Sequence, residues 1–382
     1  MKLIINASNL LGSGGMQVAN SFIHECRNYP IDEFHVFLSP KLNEELDRSA
    51  FPQNFFFYAV DHIPGLFGKG LAMVKLLREW ESSICPDCVF TVFGPSYWKP
   101  TSIHVMGYAM PHYIYPESPF YKIISLREKL EWKLRSIVKM NQVKNNAQYY
   151  HVETEDVRRR LAKTINVGSE RIYVVSNTHS ALYDSLTTDN TSPKMISSQK
   201  NDEFRLICIS AYWTHKNLEI INEVVPILLE KGCKNVKFVL TLPTDIFLKV
   251  FKPLVREYII NVGPVAVKDC PLLYSECDAA FLPTLLECFS ANYPEAMKMK
   301  KPIITSELGF ARTICGDAAL YFDPLNPKEI ADTIIKLMDD ETLGEKLVLN
   351  GSKRLLSFDS ATQRAKKYLN ICKHLVAETP YV

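Results

Sequence analysis

Three motifs that mark nucleotide or metal sites are missing from this sequence. No Asp-x-Asp pair occurs anywhere in the chain, so the acidic pair that many transferases use to hold a divalent ion against a diphosphate is lacking. The pattern Gly-x-Gly-x-x-Gly is also missing, which disfavours a dehydrogenase with a dinucleotide site. There is no P-loop, so the sequence does not support phosphoryl transfer from ATP.

Long apolar runs and an excess of one charge are missing as well. No eighteen apolar residues follow one another, so the sequence predicts no membrane-spanning helix. The apolar run Met1–Asn6 is too short for a signal peptide and predicts a first strand. A formal net charge of +2 gives no argument for nucleic acid as a partner.

The ten cysteines are scattered, mostly inside apolar segments. Because a secreted disulfide framework would normally bring a signal sequence, we expect reduced thiols and a cytoplasmic location. Cys85 and Cys88 form a lone Cys-x-x-Cys without a second pair or nearby histidines. Zinc binding is therefore disfavoured, and these two cysteines are interpreted as core or turn residues.

A chain of 382 residues is longer than one hydrophobic core normally supports, so two domains are predicted. Strand-like apolar runs alternate with helical patterns, which is typical of α/β proteins with doubly wound parallel sheets. The polar segment 184–202 predicts a linker between an N-terminal domain, 1–183, and a second domain, 203–358. Residues 359–382 predict a helix that packs back on the N-terminal domain.

One stretch, Ala279–Met297, combines a buried strand with a loop and the start of a helix. Its first residues have the length and apolar character of a strand, and the helical pattern begins at Tyr293. Asn292 and Glu295 are predicted to form a capping pair. Backbone amides at such a helix start, together with the positive end of the helix dipole, favour phosphate binding. The loop before the helix carries a second carboxylate, Glu287.

The spacing Glu287-x7-Glu295, with Phe289 and Ser290 between the glutamates, resembles the signature of the retaining, family-four (group 1) glycosyltransferases. This resemblance implies a GT-B fold, in which two Rossmann-like, doubly wound domains face a cleft and the second domain holds most of the donor. It also implies that Glu287 is a catalytic residue at the donor sugar and that Glu295 holds the ribose of the nucleotide. The implied contacts to the pyrophosphate come from loop residues: Phe289, Ser290 and Ala291.

A basic residue follows the first strand predicted for the second domain. Lys216 matches a lysine of the family pattern and stands where a departing diphosphate would need positive charge. The family pattern also has an arginine five residues before the lysine, where this sequence has Ala211. His215 is a candidate substitute for that arginine. Without the two glutamates, Lys216 would be interpreted as an exposed lysine at a helix start.

The resemblance also points to residues in the predicted N-terminal domain. His112, in a loop that follows a strand, matches a histidine that lies beside the reacting sugar in the family; the alternative is a packed loop residue. Gly14 and Gly15 are predicted to lie in a turn before a helix from Gln17 to Arg27. Such a turn lies under the donor phosphates in the family, and the alternative is a tight turn without a ligand.

Two further segments predict helices. Residues 122–144 contain seven basic residues, two glutamates and an apolar stripe that includes Trp132. A basic amphipathic helix of this kind is typical of proteins that lie on anionic membranes, and the alternative is a solvated helix face packed on its own domain. Residues 244–257 predict one uninterrupted helix.

Taken with the residues above, the resemblance implies a hexosyltransferase that works with retention and without a metal ion or cofactor. The expected partners are a nucleotide-sugar donor and a saccharide or lipid-linked saccharide acceptor, at the inner face of a membrane and in polysaccharide biosynthesis. Three alternatives stay open: a sugar-nucleotide epimerase, a phosphorylase of the same fold, and a non-catalytic nucleotide-sugar-binding protein.

Overall fold

The computed structural model describes residues 1–184, 194–200 and 202–378. The chain divides into two compact units, each built on one parallel sheet. Residues 116–124 group with the second unit, although the sequence predicts all of 1–183 for the first. Most of the predicted linker, 184–202, lies outside the described residues. The first unit comprises Met1–Tyr115, Ser125–Asn177 and Asp359–Val382, and the second comprises Pro116–Ile124 and Thr178–Phe358.

Parallel strands form the centre of both units. In the described residues the strands are β1 (Lys2–Ala7), β2 (Glu33–Leu38), β3 (Phe55–Ala59), β4 (Cys88–Thr91), β5 (Ile103–Gly107), β6 (Tyr149–Val152), β7 (Ile172–Val174), β8 (Phe204–Cys208), β9 (Val236–Leu240), β10 (Ile259–Asn261), β11 (Ala279–Leu282), β12 (Ile303–Ser306) and β13 (Ala319–Phe322). The first sheet has the order β3-β2-β1-β4-β5-β6-β7, and the second has the order β10-β9-β8-β11-β12-β13.

Helices lie between most of the consecutive strands, as parallel pairing favours, whereas β4 and β5 are joined by residues 92–102 without a helix. The helices are α1 (Ser13–Glu25), α2 (Pro40–Glu45), α3 (Gly68–Ile84), α4 (Phe120–Ile123), α5 (Leu126–Asn146), α6 (Glu155–Ile165), α7 (Ile221–Glu230), α8 (Thr244–Val250), α9 (Pro253–Arg256), α10 (Cys270–Ser275), α11 (Asn292–Lys298), α12 (Gly309–Cys315), α13 (Pro327–Asp339), α14 (Glu341–Leu355) and α15 (Ala361–Glu378).

The first sheet is covered by helices on both faces. Leu3 and Ile5 of β1 belong to a core that includes residues of α1 and α15, whereas Ile4 belongs to a separate core with residues of α3. Successive strand residues point to opposite faces, so both neighbours must be apolar when both faces are covered. The ring of Phe22 in α1 lies 5.2 Å from that of Tyr368 in α15, edge to face, so the C-terminal helix packs on the first unit.

Each sheet contains one place where the strand order reverses. In the second unit, β8 pairs with β9 on one side and with β11 on the other. The chain therefore leaves β8 and β11 towards opposite edges of the sheet, and a crevice opens at their carboxyl ends. β1 and β4 are the corresponding neighbours in the first sheet. Ligands of doubly wound proteins bind in such crevices.

Two predicted helices are divided in the structure. The helix predicted over 244–257 is two helices, because Pro253 takes the first position of α9 and the chain between them is extended at Phe251. The basic helix predicted over 122–144 begins at Leu126 and is preceded by the short helix α4. Ile124 is extended, and Ser125 forms a capping box with Glu128 that fixes the start of α5.

Two observations concern the thiols and the membrane. Every cysteine of the chain is a free thiol; Cys88 is buried in β4, and Cys85 lies at the left-handed residue that ends α3. The interpretation of this pair as a core and a turn residue is confirmed. Over the part of the chain that the structure describes, each helix is too short or too polar to cross a membrane.

Candidate functional site

The crevice between β8 and β11 is bridged by bonds between the two loops that leave these strands. The amide of Leu285 donates to the carbonyl of His215 over 2.7 Å. The Thr284 hydroxyl donates to the same carbonyl over 3.1 Å. Because His215 belongs to the loop after β8 and the other two residues to the loop after β11, these bonds fix the position of each loop against the other.

Lys216 and Glu287 form an ion pair across this crevice. Their side chains are 18% and 12% exposed, so the pair is shielded from bulk water but still reachable. The Thr284 hydroxyl donates to the same carboxylate oxygen of Glu287 over 3.5 Å. A lysine ammonium has three N–H donors, so Lys216 can hold the carboxylate and an anionic ligand at the same time. The two predicted residues therefore meet at the switch point of the second sheet.

Glu295 lies in the first turn of α11 and is 7% exposed. Burial raises the pKa of its carboxyl group to about 7, and a hydrogen bond from the Tyr183 hydroxyl limits that rise. The rings of Tyr183 and Tyr274 lie 6.0 Å apart, edge to face, and both side chains are buried. Glu295 is thus a carboxyl group of shifted pKa in an aromatic environment, a property that is common in binding and catalytic sites.

The start of α11 differs from its prediction. The residue before the helix, Ala291, already has a helical conformation (φ −62°, ψ −23°), and no side chain caps the helix. Asn292 instead donates from its side-chain amide to the carbonyl of Ile209, over 2.8 Å, at the end of β8. The predicted capping pair of Asn292 and Glu295 is therefore wrong. A helix that starts one residue earlier places Asn292 inside the first turn, where its side chain is used to tie α11 to the neighbouring strand.

The loop residues assigned to the pyrophosphate lie directly before α11. Ser290 is buried, and its carbonyl accepts a hydrogen bond from the amide of Tyr293. The ring of Phe289 lies 6.0 Å from the ring of Phe358, edge to face. The role of Phe289, Ser290 and Ala291 as phosphate contacts stays a prediction.

His215, the candidate substitute for the missing arginine, has a neutral imidazole, and its role in donor binding stays a prediction. Burial, assisted by the neighbouring Lys216 cation, lowers the pKa of its imidazole to about 3. The ring is therefore neutral at physiological pH and offers hydrogen bonds only. The side chain of Ala211, which is exposed, is a methyl group and contributes no charge at the position of the missing arginine. In this crevice, the ammonium of Lys216 contacts the carboxylate of Glu287.

Gly14 and Gly15 lie in a helix rather than in a turn. α1 starts at Ser13, with Gly12 as its N-cap, so Gly14 and Gly15 occupy the first helical turn and the predicted start at Gln17 is wrong. A Cβ built on Gly14 meets no atom within 4 Å, and one built on Gly15 comes 3.4 Å from Leu10. Neither glycine is required by local packing. Their role beneath the donor stays a prediction.

His112 lies in a single turn, Pro111–Tyr113, after β5. Its ring stacks on Trp132 of α5, with 4.1 Å between the centroids and an angle of 3° between the planes. This contact is the one expected of a packed loop residue, and it orients the imidazole along the helix surface. A role for His112 beside the reacting sugar stays a prediction.

Three residues that contact the site had no signal in the sequence. They are Tyr183, which faces Glu295, Thr284, which bonds Glu287, and Ser118, whose hydroxyl donates to the carbonyl of Leu285 over 2.7 Å. None of these contacts lies within a single strand or helix, so the residue pattern of one element does not predict them. Within the described residues, no group of three or more His, Cys, Asp and Glu side chains is arranged to hold a metal ion.

Comparison with known proteins locates the crevice in a recognised domain. The family model of the group 1 glycosyl transferases matches residues 203–340, which include Lys216, Glu287 and Glu295. Over these residues the second unit is therefore similar to the group 1 glycosyltransferases. The chain is also 27% identical, over 218 residues, to the O-antigen chain mannosyltransferase RfbU of Salmonella typhimurium. That alignment covers 55% of this chain and 55% of RfbU, so the chain matches about half the length of this curated relative.

Solved structures extend the likeness to the whole chain. WaaG, a glycosyltransferase involved in lipopolysaccharide biosynthesis, superposes with a TM-score of 0.72 at 13% identity and covers 97% of this chain and 99% of its own. A glycosyltransferase from Rickettsia africae gives 0.70 at 15%, with 99% of each chain covered. Anabaena HepE in complex with UDP and glucose gives 0.68 at 14%, with 98% and 100% covered. At these identities the likeness shows a shared fold, and the predicted GT-B fold class is confirmed.

Proposed function

We propose that this protein is a retaining glycosyltransferase that moves a hexosyl group from a nucleotide-sugar donor to a hydroxyl acceptor. The observation that carries the proposal is the Lys216–Glu287 ion pair at the β8/β11 crevice, inside the part of the chain that the group 1 family model matches. A cation for the departing diphosphate and a carboxylate for the reacting sugar thus stand at the place where doubly wound domains bind ligands.

In the proposed reaction, the bond between the anomeric carbon and the phosphate oxygen breaks while a bond from the acceptor oxygen forms on the same face. The proton of the acceptor hydroxyl passes to the departing phosphate oxygen. Lys216 stabilises the negative charge of the leaving diphosphate, and Glu287 stabilises the positive charge that develops on the sugar. Glu295 accepts hydrogen bonds from the ribose hydroxyls. None of these residues forms a covalent bond to the sugar.

The substrate classes follow from the chemistry of the crevice and from the relatives. HepE has been crystallised with UDP, with UDP and glucose, and with UDP-glucose, and RfbU is an O-antigen chain mannosyltransferase. We therefore assign a nucleoside diphosphate sugar as donor and a saccharide, lipid-linked or part of a surface polysaccharide, as acceptor. This assignment fits Lys216, whose ammonium can meet the negative charge of a diphosphate at the crevice.

A nucleotide screen tests the donor assignment. UDP, GDP, ADP and CMP are each added in large excess to the purified protein, and the unfolding midpoint is measured. A ligand that binds only the native state stabilises it by about 2.7 kcal/mol at a hundredfold excess over Kd, so one nucleoside diphosphate should raise the midpoint clearly. Equal midpoints with all four nucleotides would contradict the proposal.

We also propose that turnover needs no metal ion, since the charge of the diphosphate is met by Lys216 and the amides before α11. A donor-turnover assay in excess EDTA should retain its rate. Loss of activity that manganese restores would contradict this part of the proposal, while leaving the transfer reaction itself intact.

The first unit exposes an apolar and cationic face that suits an anionic membrane. Leu126, Leu130, Leu134 and Ile137 repeat at helical spacing along α5 and are exposed, from 56% at Leu134 to 82% at Leu126. Arg127 and Arg135 both pair with Glu131, but such exposed pairs are weak and leave the excess of positive charge in place. We propose that this face, the α5 face, binds anionic lipid.

A groove beside the α5 face extends the apolar surface. It has a volume of about 530 Å³, and its lining includes Leu66, Ile137, Val138, Met140 and Lys144. Phe67, on the loop that contributes Leu66, is 86% exposed. The apolar side chains of the groove suit a hydrocarbon chain, and Lys144 suits a negatively charged head group.

Flotation with liposomes tests the membrane assignment. Binding to vesicles that contain phosphatidylglycerol should be strong at low salt and weak at high salt, because each cation near the surface contributes about 1 kcal/mol and salt screens it. Leu130→Ser combined with Ile137→Ser should reduce binding. Leu349→Ser, at an equally exposed leucine of α14, is the matched control. Equal recovery with neutral phosphatidylcholine vesicles would contradict the assignment.

One observation favours a second candidate function, that of a non-catalytic protein that binds a nucleotide sugar. Ala211 stands where the family pattern has an arginine, and the neutral imidazole of His215 does not replace its charge. Such a protein would raise its unfolding midpoint with a nucleotide but would never release a nucleoside diphosphate from any donor. Measurable turnover with a single donor would exclude it.

A further inference from the structure

Residues 116–124 connect β5 to α5 in the sequence, but they belong to the second unit. Within this segment, Ser118 is buried, with 6% of its surface exposed. Its hydroxyl donates to the carbonyl of Leu285 over 2.7 Å and accepts from the amide of Phe120 over 3.1 Å. Ser118 therefore links a distant part of the chain to the loop that follows β11.

The acceptor of this bond lies two residues before Glu287. Leu285 is fully buried, so its carbonyl needs a partner in the protein. The amide of the same residue donates to the carbonyl of His215 over 2.7 Å. Leu285 is thus held from both sides, by the loop after β8 through its amide and by Ser118 through its carbonyl.

We propose that Ser118 is a positioning residue for Glu287. The inference rests on the proposed function, because it assumes that Glu287 acts on the donor sugar. The Ser118 hydroxyl fixes the peptide that leads into Glu287, and the position of that peptide sets where the carboxylate meets the sugar. Lys216 alone does not provide this restraint, since a flexible lysine side chain follows the carboxylate wherever it moves.

The test compares Ser118→Ala with wild type in turnover and in nucleotide binding. Misplacement of a catalytic group by about 1 Å can cost about a hundredfold in rate, so we expect kcat to fall by roughly ten- to a hundredfold. The Kd of the free nucleoside diphosphate should change less than about twofold, because Glu295 and Lys216 keep their places. Ser352→Ala removes a serine hydroxyl that donates to a carbonyl within α14, and serves as the matched control.

A double-mutant cycle separates positioning from a general loss of stability. In the Glu287→Gln background, Ser118→Ala should lower kcat no further, because the group that Ser118 positions has lost its charge. An equal fall in both backgrounds, or an unchanged kcat in the single variant, would overturn the inference. A wild-type protein without turnover would overturn the proposed function and the inference with it, whereas an active wild type with an unaffected Ser118→Ala would overturn the inference alone.

Discussion

The two units contain the same topological crevice with different chemistry. In the second unit, the crevice between β8 and β11 holds the Lys216–Glu287 ion pair. In the first unit, the loops that leave β1 and β4 are joined by uncharged bonds, from the side-chain amide of Asn9 to the carbonyls of Phe93 and Pro95, over 2.7 and 2.9 Å. Strand order therefore locates a place for a ligand, and the side chains at that place decide what it can bind.

If the proposed function is correct, this difference predicts that the two units bind different parts of the substrates. A charged crevice suits the diphosphate of a donor, which needs a cation and amides. The side-chain amide of Asn9 and the carbonyls of Phe93 and Pro95 in the first crevice carry no charge, and groups of this kind suit hydroxyl-rich ligands. Substitutions in the two crevices should therefore have effects of different size, and these effects should appear in different measured quantities.

The largest effect should come from the charged crevice. Glu287→Gln keeps the shape of the side chain but removes the charge that we propose faces the developing positive charge on the sugar. Loss of one such preorganised group typically costs about 10²–10³-fold in kcat, and we expect a loss of this size. Steady-state kinetics measure it, with Glu345→Gln on the exposed side of α14 as the matched control. A fall of less than about threefold would mean that the crevice is not catalytic.

A second large effect should appear in the pH dependence of stability. The pKa of Glu295 is raised from 4.5 to about 7 by burial. Between these values the folded protein holds a proton that the unfolded chain has lost, so this group stabilises the fold at low pH and the contribution is lost as pH rises towards 7. Since one pKa unit corresponds to about 1.4 kcal/mol, the ionised carboxylate costs on the order of 3 kcal/mol above pH 7.

Glu295→Gln removes this titration and is the variant that tests it. We expect it to be more stable than wild type at pH 8 and to approach wild-type stability at pH 4.5. Urea unfolding of both proteins at the two pH values measures the difference. A constant difference between variant and wild type across this range would show that the carboxyl group titrates normally in the folded protein.

The smallest effect should come from the first unit. Gly14 lies in the first turn of α1 with open space around it, so Gly14→Ala should stabilise the fold by about 0.5–1 kcal/mol. If the open space receives the donor, as the family resemblance implies, the added methyl should also raise the donor KM several-fold. Gly344→Ala, at a helical glycine of α14 with ordinary neighbours, should leave KM unchanged. An unchanged donor KM in Gly14→Ala would contradict the prediction that the donor lies against the start of this helix.

The parallel strands were predictable because burial on both faces leaves continuous apolar runs. Ala279–Leu282 shows this pattern and forms β11, and the residues 88–90 show it within β4. Short helices without a capping signal were not predictable in the same way: α12, Gly309–Cys315, has no side-chain cap, and the sequence gives it no clear boundary. Helix ends such as the start of α11 depend on one residue's conformation, which a pattern does not specify.

The candidate site was predictable only where its residues follow strand ends. Glu287 and Lys216 lie in the loops that follow β11 and β8, and the adjacency of these strands brings them together. The bond from Ser118 to Leu285 spans 167 residues, and no local pattern contains it. The raised pKa of Glu295 and the lowered pKa of His215 both arise mainly from burial, which depends on the complete fold.

Titration calorimetry with the free nucleoside diphosphate tests the central claim most directly, since it separates the two glutamates of the charged crevice. Glu295→Ala removes the proposed ribose contact and should weaken binding by about 1.5–3 kcal/mol. Glu287→Gln alters the proposed contact to the sugar and releases the Lys216 ammonium from its ion pair, so the nucleotide should bind no more weakly than to wild type, although kcat is low. Loss of nucleotide binding in Glu287→Gln together with unchanged binding in Glu295→Ala would contradict the assignment of roles in this crevice.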